Sequence, residues 1–109
     1  MILSNSHHRI ISSNAQLATS FLERLFGLLD SRNSRYLIFR TRFGLHTFFL
    51  ETPIDVILLD NQNRIVKLKP GLLPNYLFLY HPRYTTVIEM PFGTITKFDL
   101  SLNDKIFIE

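Results

Sequence analysis

Four residues in the first half of the chain have side chains that could bind or transform a ligand: Arg24, His46, Thr47 and Asp55. His46 could serve as a general base or as a neutral imidazole ligand, because its ordinary pKa lies close to neutral pH. Together with Asp55 it could carry the chemistry of a small hydrolase. The alternative is structural, since a lone histidine at the head of a strand is more often a hydrogen-bonded framework residue.

Asp55 is the sharpest of these candidates because it lies just after Pro53, at the start of an apolar stretch. An unpaired carboxylate is costly to bury, so Asp55 needs donors: backbone N–H groups, Thr47, His46 or an arginine. We expect it to be ionised and to lie close to Arg24 and His46. The structural alternative is a buried polar clip that holds the bend at Pro53.

The sequence does not support other catalytic or cofactor arrangements. There is no Gly-x-Ser-x-Gly motif and no phosphate-binding glycine loop among the four glycines. Pro53 separates Glu51 from Asp55, so a carboxylate pair cannot be derived from their spacing. Four potential metal ligands lack a binding spacing: His46, His81, Glu51 and Asp55. We therefore predict no catalytic residue, no metal and no cofactor.

Composition indicates one globular domain that spans residues 1–109. Hydrophobic residues make up 46% of the chain, with ten phenylalanines, which is enough to build a core. The absence of cysteine excludes disulfides and thiolate chemistry and is compatible with a reducing compartment. We identify neither a signal peptide nor a membrane-spanning stretch. The sequence therefore predicts a soluble cytoplasmic protein.

The net charge is +3, and the basic residues are segregated along the chain. Four arginines lie between Asp30 and Glu51, and four more basic residues lie between Asp60 and Glu89, with no acidic residue inside either interval. One face could therefore be electropositive, although charged residues on the wet face of a sheet give the same pattern. The chain lacks the aromatic and glycine motifs of RNA-binding modules, which argues against a nucleic-acid partner.

The predicted strands centre on residues 43–60, the most apolar stretch of the chain. Pro53 has no backbone N–H, so the chain should bend or start a new strand there. Residues 54–59 are apolar on both alternating faces apart from Asp55, which is typical of a strand covered on both sides.

A β-hairpin is predicted over residues 54–69. The turn residues Asp60-Asn61-Gln62-Asn63 tolerate left-handed backbone and form local hydrogen bonds, and residues 64–69 then alternate between apolar and basic. Pro70 and Gly71 indicate a loop after the hairpin.

Only residues 20–29 have a convincing helical period, with a capping-box pattern that starts at Ser20. Further short strands and one helical turn are predicted elsewhere, while His7-His8 is assigned to a disordered terminal segment. The strands are expected near residues 9–13, 16–19, 36–39, 76–80, 84–90 and 105–108, and the helical turn near 94–98. This pattern predicts a mainly β fold, either a jelly-roll-like β-sandwich or a partly open barrel, with one short α-helix near residues 20–29.

Six motifs run in register from residue 17 to the C-terminus: Arg24 with Gly27-Leu28-Leu29; His46-Thr47-Phe48 followed by Pro53-Ile54-Asp55-Val56; Leu59-Asp60; Arg64-Ile65-Val66; Val87-Ile88-Glu89-Met90-Pro91 with Gly93; and Asn103-Asp104. In this order the chain resembles the bacterial and archaeal family known as domain of unknown function 192. Two positions depart from the pattern: Phe49-Leu50 stands in place of Gly-Met, and Asn103 in place of a glycine. The resemblance implies an all-β, jelly-roll-like sandwich and no established activity.

Two functions of different class follow from these residues. The first is a non-enzymatic binding or accessory domain, with a small polar or anionic ligand near Arg24, His46, Thr47 and Asp55, or with a protein docked on a sheet face. The second is a small hydrolase-type enzyme that uses His46 and Asp55. A metabolite-sized pocket with His46 at its base would favour the enzyme. Burial of both side chains in mutual contact would favour the binding domain.

Overall fold

A computed structural model describes residues 1–18, 36–39, 45–46, 53–73, 77–78 and 86–109, with the side chains of residues 18, 45–46 and 77–78 outside the description. These residues form ten strands and one helix: β1 (Leu3–Ser4), β2 (Ile10–Ser12), β3 (Gln16–Ala18), β4 (Leu37–Phe39), β5 (Leu45–His46), β6 (Ile54–Leu59), β7 (Ile65–Leu72), β8 (Leu77–Phe78), β9 (Thr86–Pro91), α1 (Thr94–Lys97) and β10 (Phe107–Ile108). The prediction of a mainly β fold is confirmed.

Eight of these strands form two sheets. One has five strands in the order β3-β4-β9-β6-β7, and the other has three strands in the order β10-β1-β2. β5 and β8 pair with each other. All these pairings are antiparallel except that of β3 with β4. The described strands do not close into a barrel, and the fold is sandwich-like, the first of the two predicted alternatives.

The five-stranded sheet is buried on both faces, as the composition of β6 predicted. We call the side that carries Ile57, Leu59 and Ile88 the first face. It packs against residues of the three-stranded sheet, such as Leu3 and Ile11, and against α1 and the chain that follows it. The opposite side, which we call the second face, carries a smaller apolar cluster: Leu37, Phe39, Val56, Leu58, Leu72 and Val87. All six of these side chains are buried.

The predicted hairpin is confirmed, including the chemistry of its turn. β6 and β7 pair antiparallel, and the carboxylate Oδ1 of Asp60 accepts the N–H groups of Gln62 and Arg64 at 2.9 Å each. Asn63 has a φ of 59°, the left-handed conformation that asparagine tolerates.

The predicted loop at Pro70 and Gly71 is wrong, because β7 continues through both residues to Leu72. Among the described strands, β7 lies at the edge of the sheet and pairs with β6 alone. A proline is tolerated there because one side of an edge strand makes no ladder hydrogen bonds. Gly71 has a φ of 61°, and the register with β6 shifts at this point, as in a β-bulge.

The N-terminal segment is also ordered, contrary to the expectation for His7-His8. β1 lies in the middle of the three-stranded sheet, and the imidazole of His8 stacks on Phe107 with ring centroids 6.0 Å apart. Sequence periodicity could not reveal β1, because it contains only two residues.

Asn103, which stands where the resembled family has glycine, adopts a φ of 72°. Glycine occupies this left-handed region freely, and asparagine is among the few other residues that visit it. The departure from the family pattern therefore preserves the backbone turn. The helical turn predicted near residues 94–98 is confirmed as α1, whereas the helix predicted over residues 20–29 lies outside the described residues.

Candidate functional site

Asp55 is a buried carboxylate saturated with backbone hydrogen bonds. Its side chain lies on the first face, and the residue is 1% exposed. Oδ1 accepts the N–H of Gly71 at 2.9 Å, and Oδ2 accepts the N–H groups of Gly93 at 3.1 Å and Ile95 at 2.8 Å. Hydrogen bonds to an ionised acceptor are the strong ones, so the three together offset much of the cost of burying the charge.

These hydrogen bonds connect three separate segments of the chain. Asp55 belongs to β6 and Gly71 to the bulge of β7, while Gly93 directly precedes α1 and Ile95 lies in its first turn. Asp55 is thus a clip that holds the end of the sheet to α1. The sequence predicted that Asp55 needs hydrogen-bond donors, and three backbone N–H groups are those donors.

The structure tests the other predicted site residues only in part. His46 lies in β5, where its backbone pairs with Leu77, while its side chain is outside the description. Arg24 and Thr47 lie outside the described residues. The predicted cluster of Arg24, His46 and Asp55 therefore stays a prediction. Among the described residues, no three His, Asp or Glu side chains gather where a metal ion could bind.

Glu89 is a second buried carboxyl group, and its surroundings are very different. It is 4% exposed in the middle of β9. Its partners in the register of the sheet are Leu37 of β4 and Val56 of β6, both apolar. Desolvation by burial is the cause of its displaced pKa, with no contribution from a charged or hydrogen-bonding partner among the described residues.

Burial changes the protonation of this group. Loss of hydration disfavours the charged form and raises the pKa of Glu89 to about 8. Glu89 is therefore mostly protonated at pH 7, and a neutral carboxyl group can donate a hydrogen bond as well as accept one. Perturbed carboxyl groups of this kind are concentrated at functional sites.

Asp55 and Glu89 cannot work as a carboxylate pair. Successive residues of a strand point to opposite faces of the sheet. Glu89 is paired with Val56, the neighbour of Asp55, so it lies on the second face while Asp55 lies on the first. The sheet itself separates the two carboxyl groups.

The second face carries basic residues beside Glu89. Lys69 is paired with Val56 and Lys67 with Leu58, so both lie on the second face at the edge of the sheet. Neighbouring strands are about 4.8 Å apart, which places the Cα atom of Lys69 roughly 10 Å from that of Glu89. A buried neutral carboxyl group and exposed ammonium groups thus occur on one side of the sheet.

Sequence reasoning did not select Glu89 as a site residue. One signal was present, since Thr-Val-Ile-Glu-Met-Pro in β9 has a single charged residue in an otherwise apolar strand. That pattern alone does not say which face the carboxyl group occupies. The answer depends on how β9 pairs with β4 and β6, which are distant in the sequence.

Comparisons with known proteins agree with this architecture. A UPF0127 protein from Thermococcus gammatolerans is 32% identical, over 97% of this chain and 73% of its own length. A UPF0127 protein from Pyrococcus horikoshii is 30% identical, over 97% of this chain and 96% of its own length. A solved protein of unknown function from Novosphingobium aromaticivorans has the same fold, with a TM-score of 0.81 at 15% identity over 98% of this chain and 84% of that chain. The sequence pattern of one family matches residues 2–108, and on that match the chain belongs to the DUF192 family, described as Uncharacterized ACR.

Proposed function

We propose that this chain is a non-enzymatic binding domain for a small polar or anionic ligand. The observation that supports the proposal is the buried carboxyl group of Glu89, whose pKa is raised by desolvation with no contribution from a partner among the described residues. Carboxyl groups with strongly displaced pKa values are concentrated at functional sites. A ligand that hydrogen-bonds to Glu89 would use this group.

Charge indicates which ligand would suit this face. With its pKa raised to about 8, Glu89 is neutral at pH 7 and does not repel an anion. Its proton can be donated to a carboxylate or phosphate oxygen, as neutral carboxyl groups do in other sites. Lys67 and Lys69 lie on the same face and attract the same kind of ligand. An anion with a small apolar body fits these three groups.

The residues predicted from the sequence keep a place in this proposal. Arg24, His46 and Thr47 stay candidate contacts for the anionic group of the ligand. Asp55 has a supporting role, since its oxygens already accept three backbone N–H groups. The same hydrogen bonds weigh against the hydrolase alternative, because that mechanism needs Asp55 free to orient or to exchange protons with His46. A cytoplasmic location, suggested by the cysteine-free composition, belongs to the proposal as well.

Titration calorimetry with a matched anion and cation tests the proposal. We expect benzoate to bind and benzylamine, which has a similar apolar body, not to bind. Glu89→Leu should weaken benzoate binding by about tenfold, the effect of losing one good hydrogen bond to a charged group. Glu89→Gln should retain most of the affinity, because the amide still donates. Asp60→Asn, far along the hairpin turn, is the control and should not change binding.

Two results would contradict the binding domain. If the Glu89→Leu protein bound benzoate as tightly as the unsubstituted protein, Glu89 would not be part of the binding site. Turnover of p-nitrophenyl acetate or p-nitrophenyl phosphate that is lost in His46→Ala would instead support the hydrolase.

A further inference from the structure

A second feature lies on the other layer of the fold, in the loop between β1 and β2. Asn5 is 1% exposed, and its Oδ1 accepts the N–H groups of His7 and Arg9 at 3.0 Å each. Its backbone N–H and C=O bind the carbonyl of Arg9 and the N–H of His8, also at 3.0 Å. One buried side chain thus fixes the loop and sets the direction of His8 and Arg9.

The loop places His8 against the ring of Phe107 and Arg9 against the ring of Phe98, and a lysine also lies over each of these rings. The guanidinium carbon of Arg9 lies 5.1 Å from the centroid of Phe98, and the ammonium nitrogen of Lys97 lies 5.4 Å from the same centroid. His8 stacks on Phe107, and the ammonium nitrogen of Lys105 is 5.6 Å from the centroid of Phe107. We call Arg9, Lys97 and Lys105, together with the neighbouring ring of His8, the cationic cluster.

Within the described part of the chain, the cationic cluster has no anionic partner. Arg9 and Lys97 contact one ring, so their charges are at most about 11 Å apart. The ion pair found among the described residues joins Arg64 to Asp60 at 3.1 Å and involves no member of the cluster. Asp99 and Asp104 are the acidic residues nearest along the chain, and neither is within ion-pair distance of the cluster. The like charges repel one another until an anion binds.

The surroundings favour a protein partner over a nucleic acid. Phe98 is only 7% exposed, and the approach to its ring is taken by cationic side chains. The half-buried ring of Phe107 already has His8 and Lys105 against it, so neither ring is open to the stacking of a base that single-stranded nucleic acids require. Ile10 follows Arg9 directly and is 60% exposed, which offers an apolar contact beside the charges. Apolar contact flanked by charge is typical of a protein–protein interface.

We infer that the cationic cluster and Ile10 form a docking surface for an acidic segment of a partner protein. Carboxylates of that segment pair with Arg9, Lys97 and Lys105, and an apolar side chain of the segment packs on Ile10. This surface includes residues of the loop between β1 and β2, of β2, of α1 and of the segment before β10. It lies on the layer opposite the second face, so it is independent of the proposed site at Glu89.

Fluorescence anisotropy tests the docking surface with a short fluorescein-labelled peptide of glutamates interspersed with valines. We expect binding that weakens as salt is raised, and no binding of the same peptide with glutamine in place of glutamate. The triple variant Arg9→Gln, Lys97→Gln and Lys105→Gln should lose about tenfold in affinity. Arg64→Gln is the matched control, since Arg64 is an exposed cation that already has a partner, and it should change affinity less than about twofold.

Two outcomes would overturn the inference. One is a triple variant that binds the acidic peptide as well as the unchanged protein does. The other is an oligothymidylate of equal charge that binds as tightly as the peptide and is lost in the same variant, because the surface would then recognise phosphate. Circular dichroism verifies that the triple variant is folded. If it is not, Arg9→Gln and Lys105→Gln singly should each weaken peptide binding about threefold, and unchanged affinity in both would equally overturn the inference.

Discussion

Asp55 and Glu89 are both buried carboxyl groups, but they differ in the hydrogen bonds that their oxygens accept from the described residues. Three backbone N–H groups surround the oxygens of Asp55, so its role is to hold segments together. Glu89 faces apolar neighbours, and burial raises its pKa to about 8. A site that binds or transfers protons requires a group with unused hydrogen-bonding capacity. Glu89 has that capacity and Asp55 does not.

Asp55→Asn is predicted to destabilise the fold by about 1–3 kcal/mol. The amide keeps one oxygen as an acceptor, but its NH₂ group would face backbone N–H groups and leave at least one buried donor unpaired. Urea denaturation of the two proteins at pH 7 measures the difference in the free energy of unfolding.

Asp60→Asn is the matched control for that measurement. Asp60 also accepts two backbone N–H groups, but in an exposed turn. Partial burial opposes its ionisation, yet the hydrogen bonds from the backbone and side chain of Arg64 and from Gln62 hold its pKa below the ordinary value. Water can replace the lost bonds there, so the change should be smaller than at Asp55. An equal or larger loss at Asp60 would show that Asp55 is not the clip we describe.

Sequence reasoning at this scale succeeded in part. Because Asp55 sits in an apolar strand, a need for donors could be predicted from local context. The donors themselves could not, since they come from residues 16, 38 and 40 positions away. Glu89 was overlooked for the same reason, because its apolar neighbours in the sheet belong to β4 and β6, which are distant in the sequence.

At the scale of the elements, left-handed backbone before α1 allows the hydrogen bonds of Asp55 to form. Gly93 has a φ of 95° and precedes α1, where its N–H reaches Asp55. Asn103 has a φ of 72° in the turn before β10.

The hairpin of β6 and β7 was predictable from the sequence because its turn residues and the alternation of its side chains are local features. The passage of β7 through Pro70 and Gly71 was not, because it depends on β7 being an edge strand.

Gly93→Ala should cost about 1–2 kcal/mol, the penalty of placing a Cβ atom in left-handed backbone. The cost is conformational, since no atom lies within 4 Å of a Cβ at this position. Asn103→Ala should cost somewhat less than Gly93→Ala, because it leaves the hydrogen bonds of Asp55 intact. Asn103→Gly should stay within about 0.5 kcal/mol of the unchanged protein. Thermal melts of the three variants measure these differences, and a neutral Gly93→Ala would mean that its turn is not constrained.

For the molecule as a whole, the Cα radius of gyration is 12.5 Å, close to the roughly 13 Å of a compact domain of this length. That residues 1–109 form a single domain stays a prediction. Within the described residues, no helix is long and apolar enough to cross a membrane. The two-layer arrangement could be predicted from the number and spacing of strands. The order of the strands could not, because it depends on contacts between distant segments.

Stability is predicted to fall as pH rises from about 4.5 to about 8. The pKa of Glu89 rises from 4.5 to about 8 on folding, so the folded chain binds the proton more tightly than the unfolded chain. Its stabilising effect is complete below pH 4.5 and is lost as pH approaches 8, by up to about 1.4 kcal/mol per pH unit. Urea denaturation at several pH values measures the slope. In Glu89→Gln this contribution to the slope should disappear, and an unchanged slope would contradict the assignment.

Glu89 is a buried, largely neutral carboxyl group on the second face of the five-stranded sheet, and no partner among the described residues lowers its pKa. The most direct test is a carbon-13 NMR titration of the side-chain carboxyl of Glu89, assigned by comparison with the Glu89→Gln protein. We predict a midpoint near pH 8, because burial disfavours the charged form of the carboxyl group. A midpoint near the ordinary value of 4.5 would contradict the claim, because it would mean that water or a cationic group reaches the carboxylate.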